Sequence, residues 1–545
     1  MGSSFNRKGF LLRAGLVTGG IFLNGCIRNL SNSSKAYKHV KGAVIGPDEK
    51  AGHVLRGKFD FPFPAETRAV KTLIIGGGIS GLSAGRWLKK EGFNDFEILE
   101  LEDHAGGNAH SRSNSVSAYP LGAHYITIAN NDDQLLIDFL KEIGVITHFE
   151  NGLPFYNEFY LCFDPEERLL INGQWQEGLI PQFGMPEQDK LQIERFFKLS
   201  NLLKQTKGSD GKDAFTIPID RSSADPVYRD LDKTCFGDYL KQQGFTSKYL
   251  LWYLNYCCKD DYGQRIDKVS AWAGLSYFAA HKGKAANAEE GAVLTWPEGN
   301  AWLVKKLKDG LADHIKTSVL TYSVVSQQNG KVIVRAYDLK KKKSYEILAD
   351  SVIMATPQFV NRRILKDGVR SEFNYDQFSY APWMVANITL KDFTSTGSPG
   401  LCWDNVPYGQ PSVGYVYSGH QQLDRNAGKV ITFYLPLCDQ EPKVARLAAY
   451  ARSYEQWLDK IIPELEFMHP EITSLIENIE VWVWGHGMVV PSVGYLWGAD
   501  REKAALPVND SVFFAHTDLS GISLFEEGFH QGIRAAKELL AVKGE

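Results

Sequence analysis

"VKTLIIGGGISGLSAGRWLKKEGFNDFEILELEDHAGGNAHS" runs from Val70 to Ser111. Val70 to Ile75 is a short apolar, partly β-branched run and reads as a buried strand. Glycines follow at Gly76, Gly78 and Gly81. From Ile79 to Glu91 the pattern is helical, with Leu82, Trp87 and Leu88 on one side and Gly92 as the stop. Phe96 to Glu100 is a second strand. This is a βαβ unit. Gly76 permits the tight turn, Gly78 lets backbone approach a pyrophosphate, and Gly81 lets helix and strand pack closely. Ile79 and Ser80 open the helix, whose free N–H groups and positive partial charge suit phosphates. Glu100 lies 19 residues after Gly81, where a carboxylate accepts ribose hydroxyls and disfavours a 2′-phosphate. A glycine-rich turn without a ligand is the plain alternative; the strand–helix–strand–Glu context argues against it. NAD and FAD both fit this unit, and NADP does not.

The next residues bear on that choice. Gly106 and Gly107 follow the second strand directly. With Leu99, Glu100 and Asp103 they resemble the L-E-x-x-D-x-x-G-G-R pattern of the flavin-containing amine oxidase family, Asn108 standing in place of Arg. "YPLGAHYI" is similar to that family's D-x-G-A-x-W-I segment, with Tyr119 and Pro120 replacing the acidic position. "TWPEGNAWLVKKL" (Thr295 to Leu307) resembles P-x-G-G-x-x-x-L, with Asn300 for the second Gly. "ADSVIMATP" (Ala349 to Pro357) and the closing "VFFAHTDLSGISLFEEGFHQGIRAAKEL" also match, His516 replacing a Gly. The blocks lie in family order across most of the chain after residue 70. No second GxGxxG appears, so a separate NAD domain is not supported.

The resemblance implies bound FAD. It places Gly76, Gly78, Ile79, Ser80, Gly81, Glu100, Gly106, Gly107, Asn108, Gly122, Ala123, His124, Val324, Asp518 and Phe525 at the cofactor. Asp518 would contact the ribitol and pyrophosphate, and Phe525 would face the flavin where some members carry Tyr. No cysteine falls where some members attach FAD covalently, so noncovalent FAD is expected. The implied reaction is hydride transfer from a C–H beside an amine nitrogen to flavin N5. The cofactor performs the hard step, and the protein supplies orientation and a dry pocket. One departure stands out. The strand "APWMVANITL" has Ala386 or Asn387 where the family has a lysine, and Lys391 is out of register. In "VWVWGHGMVVPSVGYLWG", Trp484 and His486 are candidate catalytic residues with Phe525; His486 could act as acid or base, or simply pack beside Trp484.

Length and composition set the frame. A chain of 545 residues exceeds one ordinary core. A net charge of −4 argues against general nucleic-acid binding. The run Lys340 to Lys343 reads as a solvated hairpin tip between strands at Lys331–Tyr337 and Tyr345–Leu348. The cysteines show no CxxC or zinc-like spacing, so no metal site is expected; Cys257 and Cys258 read as core residues. Residues 1–26 resemble an export signal: "NRKGFL" is similar to the twin-arginine pattern and "LNGC" to a lipobox ending at Cys26, which would tether a periplasmic or membrane-anchored lipoprotein.

The expected fold is α/β: a discontinuous Rossmann-type FAD domain with an inserted α+β substrate domain. The FAD domain takes 69–150, 285–365 and 480–545; the substrate domain takes 151–284 and 366–479; residues 27–68 form a leader across the surface. "DKLQIERFFKLSNLLKQT" reads as an amphipathic helix with Leu191, Phe196, Phe197 and Leu199 inward. Three functions are compatible: oxidation of an amine, including a polyamine; desaturation or oxidation of a hydrophobic, isoprenoid- or porphyrin-like substrate; or a flavin-binding scaffold. The partner is a small molecule, with oxygen, a quinone or a redox protein as electron acceptor.

Overall fold

The computed structural model describes residues 37–57, 59–366, 370, 373–395, 398–422 and 428–544. The export signal and Cys26 lie outside the described residues. Two large sheets organise the chain. The first has the order Ile315–Lys316, Phe96–Leu99, Thr67–Ile75, Lys343–Met354, Val332–Asp338, Val319–Ser326, with Val512–Phe514 also paired to Lys343–Met354. Its centre is parallel: Thr67–Ile75 pairs in that sense with both Phe96–Leu99 and Lys343–Met354. Leu73, Ile74 and Ile75 are buried, as strands covered on both faces require. The helix Ile79–Lys90 covers one face, and Gly92 follows it with φ 82°. The C-terminal helix Phe525–Lys543 crosses that helix closely, because Gly532 presents no Cβ to the Ser80 carbonyl.

The lysine-rich tip joins Val332–Asp338 to Lys343–Met354, and Lys340, Lys341 and Lys342 are exposed. The two segments read separately in the sequence, Tyr345–Leu348 and Ala349–Pro357, form one long strand as far as Met354. Residues 343–349 pair with Val332–Asp338, and residues 346–354 pair on the other edge with Thr67–Ile75.

The second sheet has the order Lys41–Ile45, Ile476–Val489, Tyr380–Leu390, Lys429–Pro436, Gly414–Tyr417, Asp404–Pro407, Glu167–Ile171, Gln174–Glu177. Two features qualify the sequence reading. The leader does lie across the surface, but not loosely: its exposed Lys41–Ile45 is paired as an edge strand in parallel with Ile476–Val489. Residues 480–489 belong to this second sheet rather than to the cofactor sheet, because their long pairing with Tyr380–Leu390 holds them there. Helix Lys248–Tyr262 packs against it through Tyr249, Tyr256 and Cys257, and helices Glu187–Gln205 and Ala271–Ala279 pack on that helix. In Glu187–Gln205 the buried apolar positions are Ile193 and Phe196, while Leu191 is exposed. Cys257 and Cys258 are free and buried.

Candidate active site

A cavity of about 420 Å³ runs between the two sheets. The glycine turn forms its floor. Gly76 has φ 104°, and a Cβ there would lie 2.5 Å from the Ala355 carbonyl. A Cβ on Gly81 would lie 1.9 Å from the Gly76 carbonyl, so only glycine allows the helix to start against the turn. Glu100 is buried. Its Oε2 accepts the Gly77 N–H at 2.7 Å and its Oε1 the Glu102 N–H at 2.9 Å. Burial pushes its carboxyl above the ordinary range, and the two N–H donors oppose that. These bonds fix the carboxylate and leave acceptor capacity toward the cavity.

Asp518 is fully buried at the other end. Its Oδ2 accepts the Gln358 N–H at 2.7 Å and the Tyr380 hydroxyl at 2.5 Å. Its Oδ1 lies 2.9 Å from His516 Nδ1, but that nitrogen accepts the Asp518 N–H, so Oδ1 has no hydrogen-bond partner. A buried oxygen in that state calls for a donor from a bound molecule. A glycine cradle, a positioned carboxylate and an unpartnered buried oxygen along one cavity together fit a dinucleotide. Asp518 Oδ1 would take a ribitol hydroxyl, Glu100 a ribose, and the Ile79–Lys90 N-terminus the diphosphate.

Gly76, Gly78, Ile79, Ser80, Glu100, Gly106, Gly107, Asn108, Ala123, Trp484, His486, Asp518 and Phe525 all line this cavity. Gly81 and Gly122 act behind it: a Cβ on Gly122 would lie 2.5 Å from the Asn108 carbonyl. Two expectations need correction. Val324 is buried in the core, paired with Val334, and Val319, Leu320 and Thr321 reach the cavity instead. His124 turns away into an aromatic cluster, its ring 4.7 Å from Tyr434 and 5.6 Å from Trp403. Phe525 is largely taken up by Phe529 and Phe139. Trp484 is held by its Nε1–H on the Leu121 carbonyl at 2.6 Å.

His486 stacks on Phe359 at 4.1 Å. Burial, then Arg446 and Arg56, push its imidazole down to about 2, so it is neutral at physiological pH and is not a titrating acid or base there. Among the described residues no lysine lines the cavity in the place of Ala386 or Asn387. Ala386 faces the opposite side of its sheet, and Lys391 is exposed. Asn387 Nδ2 donates to the Pro120 carbonyl and to Thr432 Oγ1, each at 2.9 Å.

A second group of residues begins where Ala123 leaves the cofactor cavity. The Tyr434 hydroxyl donates to the Gly122 carbonyl at 2.9 Å. Tyr125 stands edge-on to Trp403 at 5.7 Å. Beyond them lie Asp260, Asp261 and Asp404, with Tyr256 donating to Asp404 Oδ2 at 3.0 Å. Burial raises Asp260 to about 6, and burial with Asp260 and Glu167 raises Asp404 well above the carboxylate range. Yet Asp260 and Asp404 keep accessible surface. Sequence reasoning missed these aspartates because they come from separate elements, and no local spacing joins them.

The sequence comparisons agree with this geometry. Residues 74–143 match the NAD(P)-binding Rossmann-like domain. Polyamine oxidase 7 of Oryza sativa subsp. japonica is 38% identical over 68 residues, covering 12% of this chain and 14% of that protein. A flavin-containing amine oxidase of Oncorhynchus mykiss is 31% identical over 118 residues, 19% of this chain and 22% of that protein. The chain therefore aligns with less than a quarter of the length of these curated relatives. Solved structures extend much further. Putrescine oxidase bound to putrescine superposes with a TM-score of 0.63 at 16% identity, over 87% of this chain and 100% of that one. The fold is that of the flavin-containing amine oxidases. Cyclohexylamine oxidase from Brevibacterium oxydans gives 0.61 at 14% identity, over 87% and 99%. A fatty acid isomerase from P. acnes gives 0.58 at 19% identity, over 85% and 97%.

Proposed function

We propose that this protein is an FAD-dependent oxidoreductase that oxidises a small diamine or polyamine. Bound FAD would supply the hydride acceptor. The supporting observation is the group of tyrosines and aspartates, Tyr125, Tyr434, Tyr256, Asp260 and Asp404, that the Tyr434 hydroxyl ties to Gly122, next to Ala123 of the cavity lining. The chain's own residues would divide the work. Asp260 and Asp404 would hold a distal ammonium, paired charges being favourable where water is scarce. The aromatic walls of Tyr434, Tyr125, Trp403 and His124 would exclude water near the reacting carbon. Desolvation there favours the neutral amine, the form that can be oxidised. The N-terminus of helix Phe525–Lys543 would favour negative charge on the reduced ring. The desaturase alternative asks for an apolar surround, and the carboxylates of Asp260 and Asp404 suit an ammonium better.

The tether and address belong to the same proposal. An export signal ending at Cys26 would place the enzyme in the periplasm or on a membrane surface, where oxygen, a quinone or a redox protein would reoxidise it. Among the described residues no helix is long and apolar enough to cross a membrane. The test is specificity: turnover of diaminoalkanes against monoamines of equal chain length. A much lower KM for the diamine supports the reading. Equal KM values, or activity on apolar non-amines alone, would sink it.

A further inference from the structure

Residues 47–56 lie outside the βαβ unit and outside every motif of the sequence. Even so, Pro47, Asp48, Gly52, His53, Leu55 and Arg56 form part of the cofactor cavity's wall. Both flanks of this segment are anchored. Before it, Lys41–Ile45 pairs with Ile476–Val489, the strand that brings Trp484 and His486 to the cavity. After it, Phe61 stacks flat on Tyr322 at 3.9 Å. In between, the Asp48 N–H donates to both Glu102 carboxylate oxygens at 2.9 and 3.1 Å. The Glu102 N–H in turn holds Glu100. Leu55 packs into the same apolar cluster as Val319 and Ile364. The segment thus crosses the cleft as a strap, over the half of the cavity that contains Glu100.

Its charge is the second observation. Arg56, on the strap, and Arg363, on helix Gln358–Ile364, both line the cavity. Neither side chain makes an ion pair or a hydrogen bond among the described residues. They lie close enough that partial burial and then Arg363 disfavour the charge on Arg56. Glu49, also on the strap and in the cavity wall, partly offsets this but forms no ion pair with Arg56, so the two adjacent guanidiniums are suited to an anion. Meanwhile the position at which the resemblance has an arginine holds Asn108, whose amide is used on the Gly487 carbonyl.

We propose that residues 47–56 are a strap that closes over the adenosine diphosphate half of bound FAD, with Arg56 and Arg363 facing its diphosphate in place of the arginine missing at position 108. This rests on the FAD reading above. It assigns the leader a role in retaining a noncovalent cofactor, which the opened cleft would otherwise release.

The test uses the full-length holoenzyme, with FAD release followed by flavin fluorescence after dilution, at low and high salt. Arg56→Gln and Arg363→Gln should each speed release about fivefold, and the double variant about 20-fold, as loss of two charge-assisted contacts predicts. Release from the wild type should accelerate with salt, and the double variant should show a flatter response. Arg56→Lys should recover part of the retention. Trypsin provides a readout independent of these variants: cleavage after Arg56 should be slow in the holoenzyme and fast once FAD is stripped. Unchanged release and salt dependence in the double variant, from a wild type that holds FAD, would overturn the strap while leaving the cofactor reading intact. A wild type that binds no FAD would overturn both.

Discussion

Gly81→Ala sets two physical effects against each other. In an isolated helix, alanine is better than glycine by about 1 kcal/mol. Here the new Cβ would lie 1.9 Å from the Gly76 carbonyl oxygen, whereas real Cβ atoms do not come within 3.0 Å of such a neighbour. The helix start and the turn must therefore separate by at least about 1 Å, and the obstacle is backbone. Overpacking of this kind costs about 1–3 kcal/mol or more, which exceeds the gain in helix propensity. A displacement of about 1 Å at a positioned binding site also costs about 100-fold. The variant should melt a few degrees below the wild type and lose most of its FAD on gel filtration, read as the ratio of flavin to protein absorbance. Gly92→Ala is the control: φ is 82°, but no atom lies within 4 Å, so it should lose a little stability and keep its FAD. A Gly81→Ala protein with full FAD and an unchanged or raised melting temperature would refute the steric argument.

Three further outcomes follow from the aspartate group and from His486. Asp260→Asn should raise the KM for a diamine by at least about 30-fold, the effect of removing about 2 kcal/mol of charge pairing, and should leave the KM for a monoamine nearly unchanged; steady-state kinetics with both substrates checks it. The Asp260 carboxyl, raised to about 6 in the fold, favours the folded state below the unfolded carboxylate pKa of about 4, and that contribution is lost as pH rises through about 6. A diamine should therefore raise the melting temperature more at about pH 8 than at about pH 5, measured by thermal shift at both. For His486 the sign is reversed. The ring is held neutral with its pKa near 2, so stability is present above the unfolded value of about 6.5 and falls as pH drops below it. His486→Gln should flatten the acid side of the stability profile and leave the pH dependence of flavin reduction unmoved; denaturant titrations and stopped-flow reduction across pH test the two halves.

The parts of the fold that were legible in the sequence are those whose physics is local. The strand Thr67–Ile75, the helix Ile79–Lys90 and Glu100 follow from glycine spacing and periodicity within about 30 residues. The C-terminal block was legible for the same reason, through Asp518 and the helix that begins at Phe525. What escaped depends on long-range pairing. His124 sits one residue from Ala123, but its ring is claimed by Tyr434 and Trp403, both far away in sequence. Val324 is on a strand that does reach the cavity, yet the register brings Val319 to Thr321 there instead. Asp260 comes from a helix and Asp404 from a strand, and only the packed second sheet joins them. The strap at residues 47–56 has no motif because its role comes from what it lies across.

The most direct measurement is an anaerobic absorbance titration of the purified protein with diaminoalkanes and polyamines. The account predicts a yellow protein whose flavin bands bleach stoichiometrically with a diamine, and readmitted air or an added quinone then restores them. A yellow protein that no amine bleaches would contradict the proposed reaction, and a colourless protein that cannot be loaded with FAD would contradict the reading of the turn at Gly76.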